Sequence, residues 1–503
     1  FARTTATEGL NVYERPGSSG RRLQLERLRG MADVGPASFA MRDAVRKALL
    51  ERMARYGYRQ VDTPLIEPTE LFLRKSGGER IAQMYAFRYR ERDIALRPEH
   101  TASILRMYVD SLQAEPLPLR YSYAGPVFRY EKPQSGRTRQ FTEIGCELLG
   151  ADGPIADAEV MHLALDGLAA LGIRGHLVLG HVGLVLDFLD RLPLRQRARD
   201  WLIWSMERVR KGRAVDLEQD LPGLVSSDRL SSLFDEMGAT LSEVPSDQLE
   251  SWVLAVLNEV GVETQGGTRT PEEIVAGVIA KMSRHSDQTH VRHAFEFIQE
   301  LAQIHGSPND VIPELRSLVR RHHLADEPID RIERVLELLT AFGHEVEDFE
   351  LSPGLGRGLH YYTGMLFEIY DGDVNQGQLV GGGRYDDLAQ TLGARQPLPA
   401  CGFTYGLERL VDALAANDQP ERDVTLIAPA GADALPAAIQ IAEQLRAEGR
   451  IVELDVRGRS VSANRRYAER LGMTAMIVVQ ADGTQATETL RQPALATKEA
   501  AGE

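Results

Sequence analysis

The chain reads as an α+β protein: an antiparallel sheet with flanking helices, interrupted by a helical insertion and followed by a carboxyl-terminal α/β domain. Three observations predict this. Two separate blocks, one ending near Gly150 and one spanning 349–410, carry apolar and polar residues in alternation, the period of a strand with one wet face. The stretch between them, 185–345, is patterned almost wholly at helical spacing. After the charged linker "NDQPERD", strand and helix patterns alternate one for one, as a parallel unit with right-handed crossovers requires.

Each element can be justified in order. "ASFAMRDAVRKALLERMARY" (37–56) repeats apolar residues at helical spacing and stops at Gly57. "YRQVDTPLIEP" reads as one strand closed by prolines; "MYAFRYRERDIALRP" and "LRYSYAGPVFRYE" alternate as antiparallel strands, and "RQFTEIGCELLG" follows as another. A helix is expected from about Ile155 to Leu171, and "TYGLERLVDALAA" closes the second strand block as a helix. In the insertion, "DQLESWVLAVLNEV" places Leu249, Trp252, Val253, Val256, Leu257 and Val260 on one face, and "TPEEIVAGVIAKM" opens with a capping box from Thr270 to Glu273. All three tryptophans, Trp201, Trp204 and Trp252, lie there, which predicts a small core of its own. The expected organisation is a flexible tail at 1–25, a domain split between 26–185 and 346–416, the insertion at 186–345 and the α/β domain at 422–503.

With 503 residues, 43% hydrophobic and 26% charged, the composition is that of a globular chain of several domains. A net charge of −15 argues against a general nucleic-acid coat, which wants a basic surface, though a local basic patch could still meet phosphates. Two cysteines far apart, Cys146 and Cys401, suit a reducing compartment better than a disulfide scaffold. No run of eighteen apolar residues appears, and "FARTTATEGLNVYERPGSSG" lacks the apolar core of a signal peptide, so no membrane role and a cytoplasmic location are expected.

Four stretches could carry chemistry. In "LRPEHTA" (96–102), Glu99 and Thr101 alternate on one strand face and could together receive an ammonium group; a strand end with a Pro-Glu turn would look the same. In "GPVFRYEKPQSGRTRQFTEIGCE" (125–147), a hairpin alternates Arg129, Glu131, Arg137, Gln140, Phe141, Glu143 and Glu147 so that several point to one side. That is either a surface for a phosphate and a stacked base or a solvated, salt-bridged face. "GLGRGLHYYTG" (354–364) frames Arg357, Tyr361 and Tyr362 with glycines, as a binding loop or a tyrosine packing pair would. "LVGGGRYDDL" (379–388) and "ACGFTYGLERL" (400–410) offer backbone amides and Arg409 near a helix start; neither a Walker loop nor a dinucleotide fingerprint is present. "RHSDQTHVRHAF" and the pair His322–His323 lack a zinc spacing and read as a solvated helix face.

Taken in their order, LRPE-x-T, FRYEKPQ-x-GR-x-RQF…E, RGL-x-YYTG and GGGRYDDL with GFTYGLERL, these stretches resemble the histidyl-tRNA synthetases, a family of class II aminoacyl-tRNA synthetases. The resemblance runs from about residue 26 to 480 and implies a class II synthetase-like antiparallel sheet, a helical insertion, an anticodon-binding domain and a homodimer. It implies that the chain activates L-histidine with ATP and Mg²⁺ and passes it to tRNA(His). On matching residues, Arg129 and Arg409 would hold the α- and γ-phosphates of ATP, Glu131 would contact the adenine or its metal, and Phe141 would stack on the base. Arg137 and Arg357 would brace the α-phosphate and the amino-acid carboxylate, and Glu99, Thr101 and Glu143 would bind the α-amino group. Glu147 and Tyr362, with Tyr361 beside them, would hold the imidazole, while Gly382, Gly383 and Gly402 would let backbone line the pocket. Arg457, Arg459, Arg465, Arg466 and Arg470 form a patch that either meets tRNA phosphates or is an exposed basic helix face.

Three positions depart from that family pattern: His100 stands where glycine is common, Glu143 replaces glutamine and His360 replaces aspartate. The insertion looks long and the last domain looks shortened after "MIVVQADG". "ELLGADGPIADAEV" and "LGHVGL" look more like a paralogue, the regulatory subunit of ATP phosphoribosyltransferase, which binds and regulates without charging tRNA. The set Arg129, Glu131, Arg137, Arg357 and Arg409 and the carboxyl-terminal domain favour the synthetase, because a regulator has no need to keep every phosphate-holding arginine.

Overall fold

The structure is a computed structural model that describes residues 26–74, 83–130, 138–225, 288–356, 361–372, 377–414 and 423–490. The expectations placed on the 1–25 tail, on 249–273 of the insertion including Trp252, and on Glu131, Arg137, Arg357 and His360 lie outside those residues. Two compact units emerge, the larger holding Ala44–Ala413 with the chain before Gly35, the smaller holding Leu414–Glu503 with Gly35–Asp43.

The helix Pro36–Arg55 buries Val45, Leu49 and Met53, one residue per turn on one face, and Gly57 ends it at φ +81°. "YRQVDTPLIEP" is two strands rather than one. β1 (Arg59–Gln60) joins the main sheet, and β2 (Ile66–Pro68) joins a separate three-stranded sheet with β3 (Ala86–Tyr89) and β4 (Arg92–Leu96), in the order β2-β4-β3. The turn between β3 and β4 puts both Arg90 (φ 45°) and Glu91 (φ 64°) in the left-handed region, as a two-residue hairpin needs.

The main sheet is eight-stranded. β5 (Leu119–Phe128) and β6 (Gln140–Leu149) form its long hairpin, in register from Leu119 against Leu149 to Phe128 against Gln140. Odd-numbered residues of β5 from Leu119 to Val127 are buried, the period-two signature read from sequence. β7 (Gly175–His181), β8 (Phe349–Leu351), β9 (Met365–Asp371), β10 (Gln378–Arg384) and β11 (Ala400–Gly406) complete the order β1-β5-β6-β11-β10-β9-β7-β8. All pairs are antiparallel except β1 with β5 and β7 with β8. The two strand blocks of the sequence thus meet in one sheet, joined where β11 pairs β6 from Ala400 against Leu149 to Gly406 against Glu143.

Glycine is what lets the central strands close. A Cβ at Gly382 would sit 2.5 Å from the Gly402 carbonyl oxygen and 2.6 Å from the Phe367 ring, and one at Gly383 would meet the Met365 carbonyl at 2.7 Å and the Tyr362 ring at 2.8 Å. A buried ion network ties the sheet to its helices. Arg384, 1% exposed, donates through Nε to Asp157 at 2.8 Å, and Arg331 donates through Nε to the other oxygen of that carboxylate at 2.9 Å. Asp157 lies on the helix Pro154–Ala170 and Arg331 on the helix Glu327–Ala341.

The described part of 186–345 is helical, including Gln196–Arg210, Leu217–Val225, Gln288–Gln303 and Pro308–Arg321. Trp201 packs on Phe295, ring centroids 5.5 Å apart, beside a small core of Ala198, Leu221, Leu224 and Val291. The carboxyl-terminal unit contains β12 (Val424–Pro429), β13 (Ile451–Leu454), β14 (Ala475–Val479) and β15 (Gln485–Thr489) in the order β13-β12-β14-β15. The first three strands are parallel, and β15 adds an antiparallel edge that the sequence reading did not contain. The domain therefore continues past "MIVVQADG": Gly483 at φ +85° turns the chain back, and the polar "QATET" reads poorly as a strand because four of its five residues form a wet edge. No helix among the described residues is long and apolar enough to cross a membrane.

Gly382→Ala is expected to lower stability by about 1–3 kcal/mol, because the contacts it creates are with backbone and a packed ring. A urea titration checks this: the midpoint falls at an unchanged slope, and an unshifted midpoint contradicts it.

Candidate functional site

A cavity opens on one face of the main sheet at its centre. β5, β6, β10 and β11 supply its floor, the segment after Pro98 and residues 361–362 supply its walls, and the start of the helix Leu407–Leu414 closes one end. Glu99, Thr101, Arg129, Phe141, Glu143, Glu147, Tyr361, Tyr362, Gly402 and Arg409 all line it. Ten of the expected residues, drawn from four separate stretches of sequence, are thereby brought to one place.

Four carboxylates line the cavity, Glu99 and Glu408 at 8% exposure, Glu143 at 3% and Glu147 at 1%, so each must be held by partners. Glu147 accepts from Thr101 Oγ1 at 2.7 Å through one oxygen and from the Tyr385 hydroxyl through the other. A carboxylate has about four acceptor sites, so an anchored Glu147 can still receive a ligand N–H. Burial first, and then the neighbouring Glu147, drives the Tyr385 phenol far above its ordinary pKa, which keeps it a donor. Gly402, cross-strand from Glu147, leaves room for the side chain: a Cβ there would overlap Glu147 Oε2.

Glu143 accepts from Arg129 Nη2 at 2.7 Å and pairs with His100 Nδ1 at 3.3 Å. Burial alone would raise its pKa; Arg129 and then His100 outweigh that and hold it below the usual carboxylate range. His100 stacks on Tyr123 with centroids 4.4 Å apart, so the unusual histidine is a buttress beneath Glu143. Arg129 also donates through Nε to the Pro98 carbonyl at 2.8 Å, and its guanidinium carbon lies 4.9 Å from the centre of the Phe141 ring. Arg409 donates to the Gln378 carbonyl at the opposite wall. Beside it Glu408, almost buried, accepts the Thr142 amide at 2.9 Å.

Two expectations are corrected. Glu99 and Thr101 do not share a strand face: Thr101 opens the helix Thr101–Met107, and Glu99 accepts the Ala102 amide at 3.1 Å, capping it. Both still reach the cavity, because a helix start turns successive side chains inward within one turn. Gly382 and Gly383 do not line the cavity; they make room for Phe367 and Tyr362, and Gly381, Gly402 and Gly406 are the glycines on its surface. Sequence reasoning also missed Tyr123, Tyr385, Glu408 and Gln378. The sequence signal nearest to Tyr385 is its place just after the triple-glycine strand β10, within the quoted "LVGGGRYDDL".

The loop that leads to Arg357 is gripped by the helix Gln196–Arg210. Gly356 donates its amide to Glu207 Oε2 at 3.3 Å, and a Cβ on Gly356 would meet Met206 at 2.5 Å. Tyr361 and Tyr362 stack at 4.6 Å just after it, with Tyr385 edge-on to Tyr361 at 5.8 Å.

Comparison with known proteins follows the same lines. The histidyl-tRNA synthetase family model matches residues 30–219 and 254–410, and an anticodon-binding-domain model matches 424–499. The histidine–tRNA ligase of Methanocaldococcus jannaschii is 31% identical over 460 residues, covering 91% of this chain and 92% of that protein. That of Pyrococcus furiosus is 32% identical over 462 residues, 90% and 91% of the two chains. Among solved structures, a Bacillus halodurans protein described as an ATP phosphoribosyltransferase regulatory subunit/histidyl-tRNA synthetase aligns with a TM-score of 0.62 at 20% identity, covering 92% of this chain and 99% of that one. Apo histidyl-tRNA synthetase of S. aureus aligns at 0.58 with 24% identity, covering 93% and 98%; both likenesses are of fold. With the family model spanning most of its length and relatives of about one-third identity along nine-tenths of it, the chain belongs to the histidyl-tRNA synthetase family.

Proposed function

We propose that the chain activates histidine with ATP at this cavity and transfers it to tRNA(His). One observation carries the reading: a single cavity joins the buried carboxylates Glu99, Glu143 and Glu147 and a tyrosine cluster to an arginine–aromatic pair, Arg129 over Phe141, with Arg409 and the buried Glu408 at its end. The carboxylates and tyrosines suit an ammonium and an imidazole; the arginines suit phosphates. The anticodon-binding match at 424–499 favours tRNA charging over the regulatory paralogue, as do relatives named histidine–tRNA ligase along nine-tenths of the chain.

In this reading Glu147 and Tyr362 hold the imidazole, and Glu99, Thr101 and Glu143 receive the α-ammonium. Arg129 takes the α-phosphate and Arg409 the γ-phosphate, while Phe141 offers a face to adenine. Arg137 and Arg357 brace the carboxylate and the α-phosphate, and Glu131 the adenine end. The histidine carboxylate attacks the α-phosphorus in line, pyrophosphate leaves, and a terminal tRNA hydroxyl then displaces AMP from the adenylate. No protein nucleophile is required; placement and fixed positive charge lower the barrier. Mg²⁺ carried in with the ATP substrate would supply neutralisation of phosphate charge. Glu408, an almost buried oxygen donor beside Arg409, is of the hard type that such a cation takes. A cytoplasmic homodimer is part of the same reading.

The purified chain should exchange labelled pyrophosphate into ATP with histidine and with no other amino acid; absence of histidine-dependent exchange contradicts the proposal. Arg129→Ala should slow that exchange by roughly 10²–10³-fold, the usual cost of one preorganised donor to developing charge. Glu147→Gln should raise the KM for histidine by about tenfold or more while leaving that for ATP nearly unchanged, since a hydrogen bond to a charged group is lost.

Acid titration isolates Glu143. Its pKa is lowered on folding, so its stabilising ion pair is complete above the ordinary carboxylate pKa and lost as pH falls through the lowered value. The stability difference between the unaltered chain and Glu143→Gln should stay constant above about pH 5 and shrink below about pH 4. A difference that persists undiminished to about pH 3 in urea titrations contradicts this.

A further inference from the structure

A second cavity lies behind the first, and the two share their walls residue by residue. Tyr362 and Tyr385 face the histidine site, whereas Thr363, Gly364, Arg384 and Asp386 face the rear cavity. Its remaining walls come from the end of β7, the start of the helix Gly183–Asp190 and the start of the helix Glu327–Ala341.

Two buried donors on its floor have no partner in the protein among the described residues: His181 Nε2 and Arg384 Nη2. Both side chains are more than nine-tenths buried. His181 Nδ1 accepts the Gly183 amide at 3.1 Å, so the neutral ring carries its proton on Nε2. Burial first, then Arg331 and Arg384, pushes the His181 pKa down to about 3, so the ring stays neutral and donating at physiological pH. Arg384 spends Nε on Asp157 and Nη1 on the Ala151 carbonyl and Asp386, which leaves Nη2. Arg331 lines the same space, fixed by Asp157 and by the Asp152 carbonyl at 2.6 Å. Two buried N–H groups of this kind are costly unless an acceptor meets them.

We propose that this rear cavity is a second binding site, for one small oxyanion, a carboxylate or a phosphate, received by His181 Nε2 and Arg384 Nη2. Two helix starts facing the cavity add positive potential at the same place. Acidic groups limit the occupant to a single small anionic group. Asp187 is bound by Arg191 and the Ala325 amide, and Asp386 by Arg384 and the Ala400 amide, but Asp152 and Glu327 at the rim oppose a polyanion. Because the segments at 362–364 and 384–386 run between the two cavities, an anion here fixes the wall that carries Tyr362 and Tyr385 from behind.

Calorimetric titration of the full chain with inorganic phosphate and, separately, with acetate tests this, each against chloride at equal ionic strength. Saturable binding of one or both anions is expected, telling which oxyanion is accepted. It should weaken at least about tenfold in His181→Phe and in Arg384→Gln, each of which removes one of the two receiving donors, the cost of a hydrogen bond to a charged group, and persist in Arg129→Gln, which disables the front cavity. No saturable binding, or binding that survives both rear-cavity variants and fails in Arg129→Gln, overturns the proposal. Should either rear variant not fold, crystals of the unaltered chain soaked in phosphate decide: density on His181 Nε2 and Arg384 Nη2 supports it, and a cavity holding only water overturns it.

Discussion

Glu147 is a carboxylate at 1% exposure in the middle of an eight-stranded sheet, and much of the surrounding chain is shaped by keeping it there. A buried charge of that kind is tolerated only with donors at hand. Thr101 supplies one from a helix start, and Tyr385 supplies another from just beyond β10. The cross-strand position on β11 must be glycine, because any Cβ at 402 would occupy the carboxylate's own volume. Three distant pieces of sequence are thus constrained by one oxygen pair.

The same logic extends outward in two shells. Glu143, four residues back along β6, is compensated by Arg129 and His100, so arginine and carboxylate hold each other in place before any ligand arrives. Such preorganisation is where catalysis by placement obtains its advantage. Behind the floor, Arg384 and Asp157 bind the sheet to two helices and position the strand end from which Tyr385 projects. The insertion joins in at the other wall, where Glu207 holds the amide of Gly356.

What could be read in the sequence followed from period and order. The alternation in β5, the helix closed by Gly57 and the succession of four motif stretches were enough to anticipate the sheet and the cavity lining. What could not be read depended on pairing. Whether Tyr385 faces Glu147 is decided by the register of β10 on β11 and of β11 on β6, which no local pattern states. Glu99 looked like a strand residue because a two-residue spacing is also compatible with a helix cap followed by a first turn. Gly382 and Gly383 looked like pocket surface, whereas their function is to admit rings from neighbouring strands. No local pattern marks Arg384 as buried, and the buried Asp157 explains its place in the core.

The central claim is that this cavity holds histidine with its imidazole on Glu147 and its α-ammonium toward Glu143. A crystal structure of the chain with a non-hydrolysable histidyl-adenylate analogue tests it most directly. The account predicts an imidazole nitrogen within hydrogen-bond distance of Glu147, about 2.7–3.2 Å, with the phosphate against Arg129. An analogue bound with its ring away from Glu147, or outside the cavity, would contradict it.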